Sequence, residues 1–308
     1  MAAADLFDEQ TLRKLDRLAL VATQVRAGQL KGERRSTKKG TSIEFADYRN
    51  YVHGDDLRRL DWNLYARLER PFIKLLEEEE DLAVHVLLDA SLSMDWPDTS
   101  IGLSSEQAAA AHKFDYARRL SGALGYMALA IGDQLTVATL PDGRPQPRQF
   151  GPVRGRGHTL RLLQFLAGLP TEGATDLNKS LRNYALAARR PGLCILVSDV
   201  FSPSGYEDGL AALQSRGYEI ALLHLLSPDE IEPPLAGDLR LLDVETGAPQ
   251  DMTLDRGLMR LYEARVRRWR DEIAAYCTRR GVHYVPVTTA TPWDELVLRT
   301  LRRRGLVK

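Results

Sequence analysis

Residues 84–94 read VHVLLDASLSM. An apolar run ends in Asp89, and Ser91 and Ser93 follow at spacings of two. A short, nearly continuous apolar run is the pattern of a strand buried on both faces, as in a parallel sheet. The run extends back to 82, and comparable runs lie at 134–140 (QLTVATL), 193–199 (LCILVSD), 219–226 (EIALLHLL) and 282–287 (VHYVPV). Between them, stretches at about 107–131, 158–168, 177–190, 206–216, 255–280 and 293–303 carry apolar residues at helical spacing. Strands alternating with helices define an α/β domain with a doubly wound, mostly parallel sheet. Residues 239–254 read as a hairpin insertion with Thr246 and Gly247 at its turn.

The chain upstream is of a different kind. Residues 5–29 place Leu12, Leu15, Leu18, Ala19, Ala22 and Val25 at helical spacing, and Gly28 and Gly32 close that helix. A basic, glycine-punctuated loop follows at 31–42, then a polar segment at 43–69 rich in Asp, Arg and aromatics. Residues 70–77 (RPFIKLLE) read as a strand leading into the acidic run Glu77–Asp81. The expected division is therefore an N-terminal helix and polar segment, 1–79, ahead of an α/β domain, 80–308.

Composition narrows the class. The chain has 308 residues, with Lys+Arg and Asp+Glu both 42, so its formal charge is zero. That balance gives no whole-surface attraction to nucleic acid or anionic lipid. The basic loop at 31–42 lacks interleaved aromatics on which single-stranded bases could stack. Two cysteines, Cys194 and Cys277, make no disulfide framework and suit a reducing compartment. No uncharged apolar stretch approaches the roughly 20 residues that span a bilayer, and the N-terminus reads as an amphipathic helix, not a signal peptide. The expectation is a cytoplasmic protein with no membrane span and no nucleic-acid partner.

Ligands of doubly wound sheets bind outside the carboxyl ends of the strands. Asp89, Ser91 and Ser93 lie there, as does Asp199 at the end of LCILVSD, while Thr175 sits in GATD (173–176) just before a helix. Hard divalent cations take oxygen ligands, few of them protein carboxylates. One carboxylate, Asp89, and two hydroxyls, Ser91 and Ser93, supply such ligands without overcharging the site and leave room for a carboxylate from outside, and Thr175 and Asp199 carry matching chemistry nearby. This set resembles the metal-ion-dependent adhesion site of von Willebrand factor type A domains. The resemblance implies that Asp89, Ser91, Ser93, Thr175 and Asp199 hold Mg²⁺, or Mn²⁺ or Ca²⁺, and that an acidic residue of a partner protein completes the coordination.

Residues 42–67 read SIEFADYRNYVHGDDLRRLDWNLYAR. Phe45, Asp47, Arg49, Tyr51, Gly54, Asp55, Asp56, Arg58, Asp61, Trp62, Ala66 and Arg67 resemble the signature of the family called domain of unknown function 58. That resemblance implies a bacterial or archaeal protein with a von Willebrand type A-like domain, working with a MoxR-type AAA+ ATPase. Arg49, Asp55, Arg58 and Arg67 admit two readings: an ion-pair network that packs the segment, or a partner-docking surface.

Other chemistries find less support. There is no Gly-x-x-x-x-Gly-Lys-Ser/Thr loop for a nucleotide, no His-Glu-x-x-His, and no nucleophile elbow around Ser91. GRGH (155–158) reads as a turn, and His85 and His224 as core residues of apolar strands. A haloacid dehalogenase-like phosphatase would also place Asp89 at a strand tip, but it needs an acid two residues on, where this chain has Ser91. A scaffold with a vestigial, metal-free site is the third reading. The expectation is a non-enzymatic, metal-dependent interaction protein.

Overall fold

The computed structural model describes residues 15, 18, 20–22, 43–52, 55, 60–78, 82–97, 104–140, 147–187, 190–243 and 247–308, with the backbone alone at 43–47 and 74–78. These fall into two compact units. In the smaller, strand β1 (Ile43–Asn50) pairs antiparallel with β2 (Phe72–Glu78). Helix α1 (Trp62–Leu68) lies between them in the chain. Its N-cap Asp61 accepts from the N–H groups of Asn63 and Leu64. Sequence patterning located β2 but neither β1 nor α1.

The larger unit is mixed α/β. Its six-stranded sheet runs β10 (His283–Thr288), β7 (Glu219–Leu226), β6 (Leu193–Ser198), β3 (Ala83–Asp89), β4 (Gln134–Leu140), β5 (Gln149–Arg154). Every neighbouring pair is parallel except β4–β5. The five parallel strands fall within a residue or so of their sequence-read bounds. β5 went unread because Gly151 and Pro152 interrupt its pattern, and an edge is where a sheet tolerates proline.

Two layers of helix cover the sheet. On one face Val84, Val86 and Leu88 of β3 pack with Ala117, Leu120 and Leu124 of α3 (Lys113–Ile131) and with α4 (Thr159–Ala167). On the other, Leu87 joins Leu181 of α5 (Leu177–Ala187), Leu210 of α6 (Glu207–Ser215) and Ile273 of α8 (Arg256–Arg280). Successive strand residues point to opposite faces, so a strand sandwiched by helices must be apolar throughout. The close seating of β6 on β3 depends on Gly192, where a Cβ would lie 2.0 Å from the Ala83 carbonyl oxygen.

The helix read at 107–131 is two, α2 (Ser105–Ala111) and α3, divided at His112, whose extended backbone caps both. The segment read as a helix at 293–303 begins as a short turn, Trp293–Glu295, and continues with π-helical bonding over Leu296–Leu301. The hairpin is present as β8 (Gly237–Leu242) and β9 (Pro249–Leu254), both largely exposed. Of the helix expected at 5–29, Leu15 is helical, but Leu18 and residues 20–22 are not, because this stretch pairs with the C-terminal segment; Leu15, Leu18 and Ala22 are all buried in the main core. Val21 donates its N–H to Leu306 O at 3.0 Å, and Leu20 bridges Val307. Among the described residues no helix is long and apolar enough to cross a membrane.

His85 lies in the middle of β3. Its Nε2 is 3.0 Å from the Arg190 carbonyl, which can only accept, so Nε2 carries the proton and Nδ1 accepts from the Tyr184 hydroxyl at 2.7 Å. Burial lowers its pKa to about 4. Between pH 6.5 and about 4 the unfolded chain gains a proton that the folded chain refuses. Stability is therefore lost as pH falls through that window, by about 3 kcal/mol from this residue. Urea melts of wild type and His85→Gln at pH 7, 5.5 and 4.5 test this. The variant should lose less stability on acidification, and equal slopes would refute the assignment.

Candidate metal centre

The chain leaves β3 for β4 on one side, then returns to lay β6 on the other side of β3. The C-terminal ends of β3 and β6 thus flank the point where strand order reverses, where α/β sheets open a crevice. Asp89 ends β3 there, and Ser198 ends β6. Leu88 pairs with Val197, so the next residues on each strand, Asp89 and Ser198, come side by side.

Asp89 is 2% exposed. Its Oδ1 accepts from the Ser91 N–H at 3.1 Å and from the Thr175 hydroxyl at 2.9 Å. Its Oδ2 accepts from the Ser198 hydroxyl at 2.6 Å. The Ser91 and Ser93 hydroxyls are 2.9 Å apart. Two backbone bonds fasten this loop to the 172–175 loop, Leu92 N–H to Gly173 O and Glu172 N–H to Ala90 O, both 2.8 Å. That stitching carries Thr175 to Asp89. Four of the five residues read from the sequence therefore form one bonded set: Asp89, Ser91, Ser93 and Thr175.

Asp199 is in the same neighbourhood but faces elsewhere. It follows Ser198, so the strand alternation turns it toward α3. Its Oδ2 takes the Lys113 ammonium at 2.8 Å, and its Oδ1 takes the Phe201 N–H at 3.0 Å. Lys113 also bonds Glu230 Oε1 at 2.5 Å. Glu230 is held by a capping box with Ser227 at the start of α7 (Pro228–Ile231). The turn after Asp199 runs through Val200 at φ 61°, a left-handed conformation that a β-branched residue adopts at a cost of about 1–2 kcal/mol. Behind it, His224 Nε2 donates to the Asp199 carbonyl at 3.0 Å.

Burial, reinforced by the charge of Asp199, pushes the Asp89 carboxyl above the usual carboxylate range, against the hydrogen bonds from Ser198 and Ser91. Burial also drives the Lys113 ammonium toward neutrality, but Asp199 and Glu230 outweigh it and its pKa is raised. The Asp89 negative charge is thus met by neutral donors, while the nearby positive charge is shared by two other carboxylates. Among the described residues, no group of three or more His, Cys, Asp or Glu side chains is placed to hold a metal alone. The ligands on offer at Asp89 are one carboxylate and three hydroxyls, which suit Mg²⁺, Mn²⁺ or Ca²⁺ better than softer metals. By donor type the residues fit a hard divalent cation.

Ser198, Lys113 and Glu230 were not singled out in the sequence. Ser198 had a usable signal, since it is an oxygen-bearing residue at the end of an apolar strand. Lys113 had none, because a lysine at a helix start reads as a solvated residue. Of the four residues read as a possible docking surface, Arg49 grips Asp55 with both guanidinium nitrogens, at 2.7 and 2.6 Å, and the pair is open to solvent. Arg67 is exposed in the last turn of α1. Arg58 lies outside the described residues.

The family profile described as "Protein of unknown function DUF58" matches residues 47–272, well over half the chain. The chain therefore belongs to the DUF58 family. The uncharacterized protein Rv1480 of Mycobacterium tuberculosis is 26% identical over 99% of this chain and 94% of its own length. An uncharacterized Mycobacterium avium protein is 27% identical over 49% of this chain and 92% of its own. Among solved structures, the conserved hypothetical protein BatB from Bacteroides thetaiotaomicron covers 73% of this chain and 98% of its own at 14% identity, with a TM-score of 0.42. An aerotolerance-related membrane protein from Bacteroides fragilis covers 72% and 99% at 13% identity, with a TM-score of 0.43.

Ser198→Ala removes a charge-assisted bond to a buried carboxylate. It should cost about 1.5–3 kcal/mol in chemical denaturation. A change below about 0.5 kcal/mol, the level typical of surface substitutions, would mean that the bond is not formed.

Proposed function

We propose that this DUF58 protein is a non-enzymatic, metal-dependent interaction module of the von Willebrand factor type A-like kind, working in the cytoplasm. Asp89, Ser91, Ser93 and Thr175 would hold Mg²⁺, or Mn²⁺ or Ca²⁺, with Asp199 one residue past Ser198 and its carboxylate already engaged by Lys113. The cation would offset the buried negative charge of Asp89 and present an open position to an Asp or Glu of a partner protein. The observation that carries the reading is a buried carboxylate gathered with three hydroxyls at the strand-order reversal of the sheet. The family resemblance nominates a MoxR-type AAA+ ATPase as the partner or driver, acting in the assembly or activation of another complex. The smaller unit, with Arg49, Asp55 and Arg67 at its surface, is a second candidate contact for that ATPase.

The haloacid dehalogenase-like alternative ranks lower. Its general acid would stand at position 91, where a serine hydroxyl instead bonds Ser93.

Calorimetric titration with Mg²⁺ tests the metal, and affinity capture from native lysate tests the partner. Wild type should bind about one Mg²⁺, and folded Asp89→Ala none. Capture should yield an ATPase with wild type in Mg²⁺, but not in EDTA and not with Asp89→Ala. The same proteins in all three captures would show that binding runs through another surface. The site would then be the metal-free scaffold of the third reading.

A further inference from the structure

Lys113 is among the largest side chains with no solvent exposure in the described residues. Nothing about packing requires an ammonium there, since well-packed apolar residues usually replace a buried ion pair at no loss of stability. Nor is the group balanced: one ammonium serves two carboxylates, Asp199 and Glu230. The charge of Asp199 also reaches Asp89, whose carboxyl it helps to push up.

The placement of Lys113 is constrained from several sides. Its own N–H donates to Trp96 O at 2.7 Å, so the first turn of α3 is tied to the loop that follows Ser91 and Ser93. The Phe201 ring lies 5.3 Å from its Nζ and is itself stacked on Trp269. Glu230 Oε2 is engaged by the Ser227 N–H at 2.8 Å, so Oε1 is aimed at the ammonium by the helix cap itself. The Tyr262 hydroxyl of α8 holds the Glu230 carbonyl at 2.7 Å. The ammonium is therefore a fixed charge, and Glu230 draws part of it away from Asp199.

We infer that Lys113 is a resident counter-ion that sets the affinity of the metal site, neutralising Asp199 so that the chain alone holds a divalent cation loosely and a partner's carboxylate is needed to retain it. This rests on the metal reading proposed above. Coulomb energy is large at side-chain distances when water is excluded, so one fixed positive charge beside the site changes cation affinity steeply. With Lys113 in place, the metal and its acidic partner each need the other. Without it, Asp199 becomes an uncompensated carboxylate beside the cation.

The test is calorimetric titration of the full chain with Mg²⁺ for wild type, Lys113→Met, Glu230→Gln and Asp89→Ala, with folding checked by circular dichroism. Lys113→Met should tighten Mg²⁺ binding at least about tenfold. Glu230→Gln should weaken it several-fold, because the ammonium then acts undivided beside the site. If Asp89→Ala abolishes binding while the other two variants stay within about twofold of wild type, Lys113 is structural and the inference falls, with the metal site intact. If no protein in the series binds Mg²⁺, Lys113→Met included, the metal reading itself fails and takes the inference with it. Should Lys113→Met not fold, Glu230→Gln decides: several-fold weakening upholds the inference, and unchanged affinity overturns it.

Discussion

A carboxyl group at the buried tip of the central strand is the constraint around which the larger unit is arranged. Asp89 closes β3, the strand with β6 on one side and β4 on the other, and almost none of it meets water. A carboxylate in that position must be surrounded by donors or lose its charge. The strand beside it supplies Ser198, the loop behind it supplies the Ser91 N–H, and the loop before α5 supplies Thr175. Each of these is in place because of a backbone feature: paired strand ends, a tight turn, and the two bonds that join the 90–92 and 172–173 segments. The hydrogen bonds favour the ionised form, burial and the charge of Asp199 oppose it, and a bound cation would tip the balance toward the carboxylate.

One residue on, strand alternation assigns the opposite task to Asp199. Its carboxylate crosses to the α3 face and meets Lys113, while its carbonyl takes the proton of His224. His224 is held neutral by burial, with a pKa lowered to about 4, and its Nδ1 accepts from Tyr284. Tyr284, His224 and the Asp199 backbone thus form a chain from β10 across β7 to the end of β6. The left-handed Val200 completes the turn. Strain of this kind persists only where surrounding contacts over-determine it, and the bonds from Val200 and Phe201 N–H to Ser198 and Asp199 do so.

Much of this was readable before any coordinates. The five parallel strands declared themselves because burial on both faces leaves no polar alternation, and Asp89, Ser91, Ser93 and Thr175 stood at predictable strand ends and loops. What escaped depends on which way a side chain turns. Ser198 and Asp199 are adjacent letters with nearly equal claims as ligands, and only the register of β6 against β3 decides which one meets Asp89. Lys113 was invisible because lysine at a helix start carries no mark of burial, and its partners are 86 and 117 residues away in the chain. β1 escaped for a different reason: IEFADYRN alternates too weakly, and its membership in a strand comes from pairing with β2. The exposed Arg49–Asp55 pair is local, six residues apart, and its residue types were plain in the family signature.

The central claim is that the oxygens gathered at Asp89 hold a divalent cation. The most direct measurement is anomalous diffraction from crystals of the full chain grown with Mn²⁺. The account predicts a peak bounded by Asp89, Ser91, Ser93 and Thr175, with Lys113 still bridging Asp199 and Glu230. Well-ordered density for these side chains without a peak among them, or a peak elsewhere on the molecule, would contradict it.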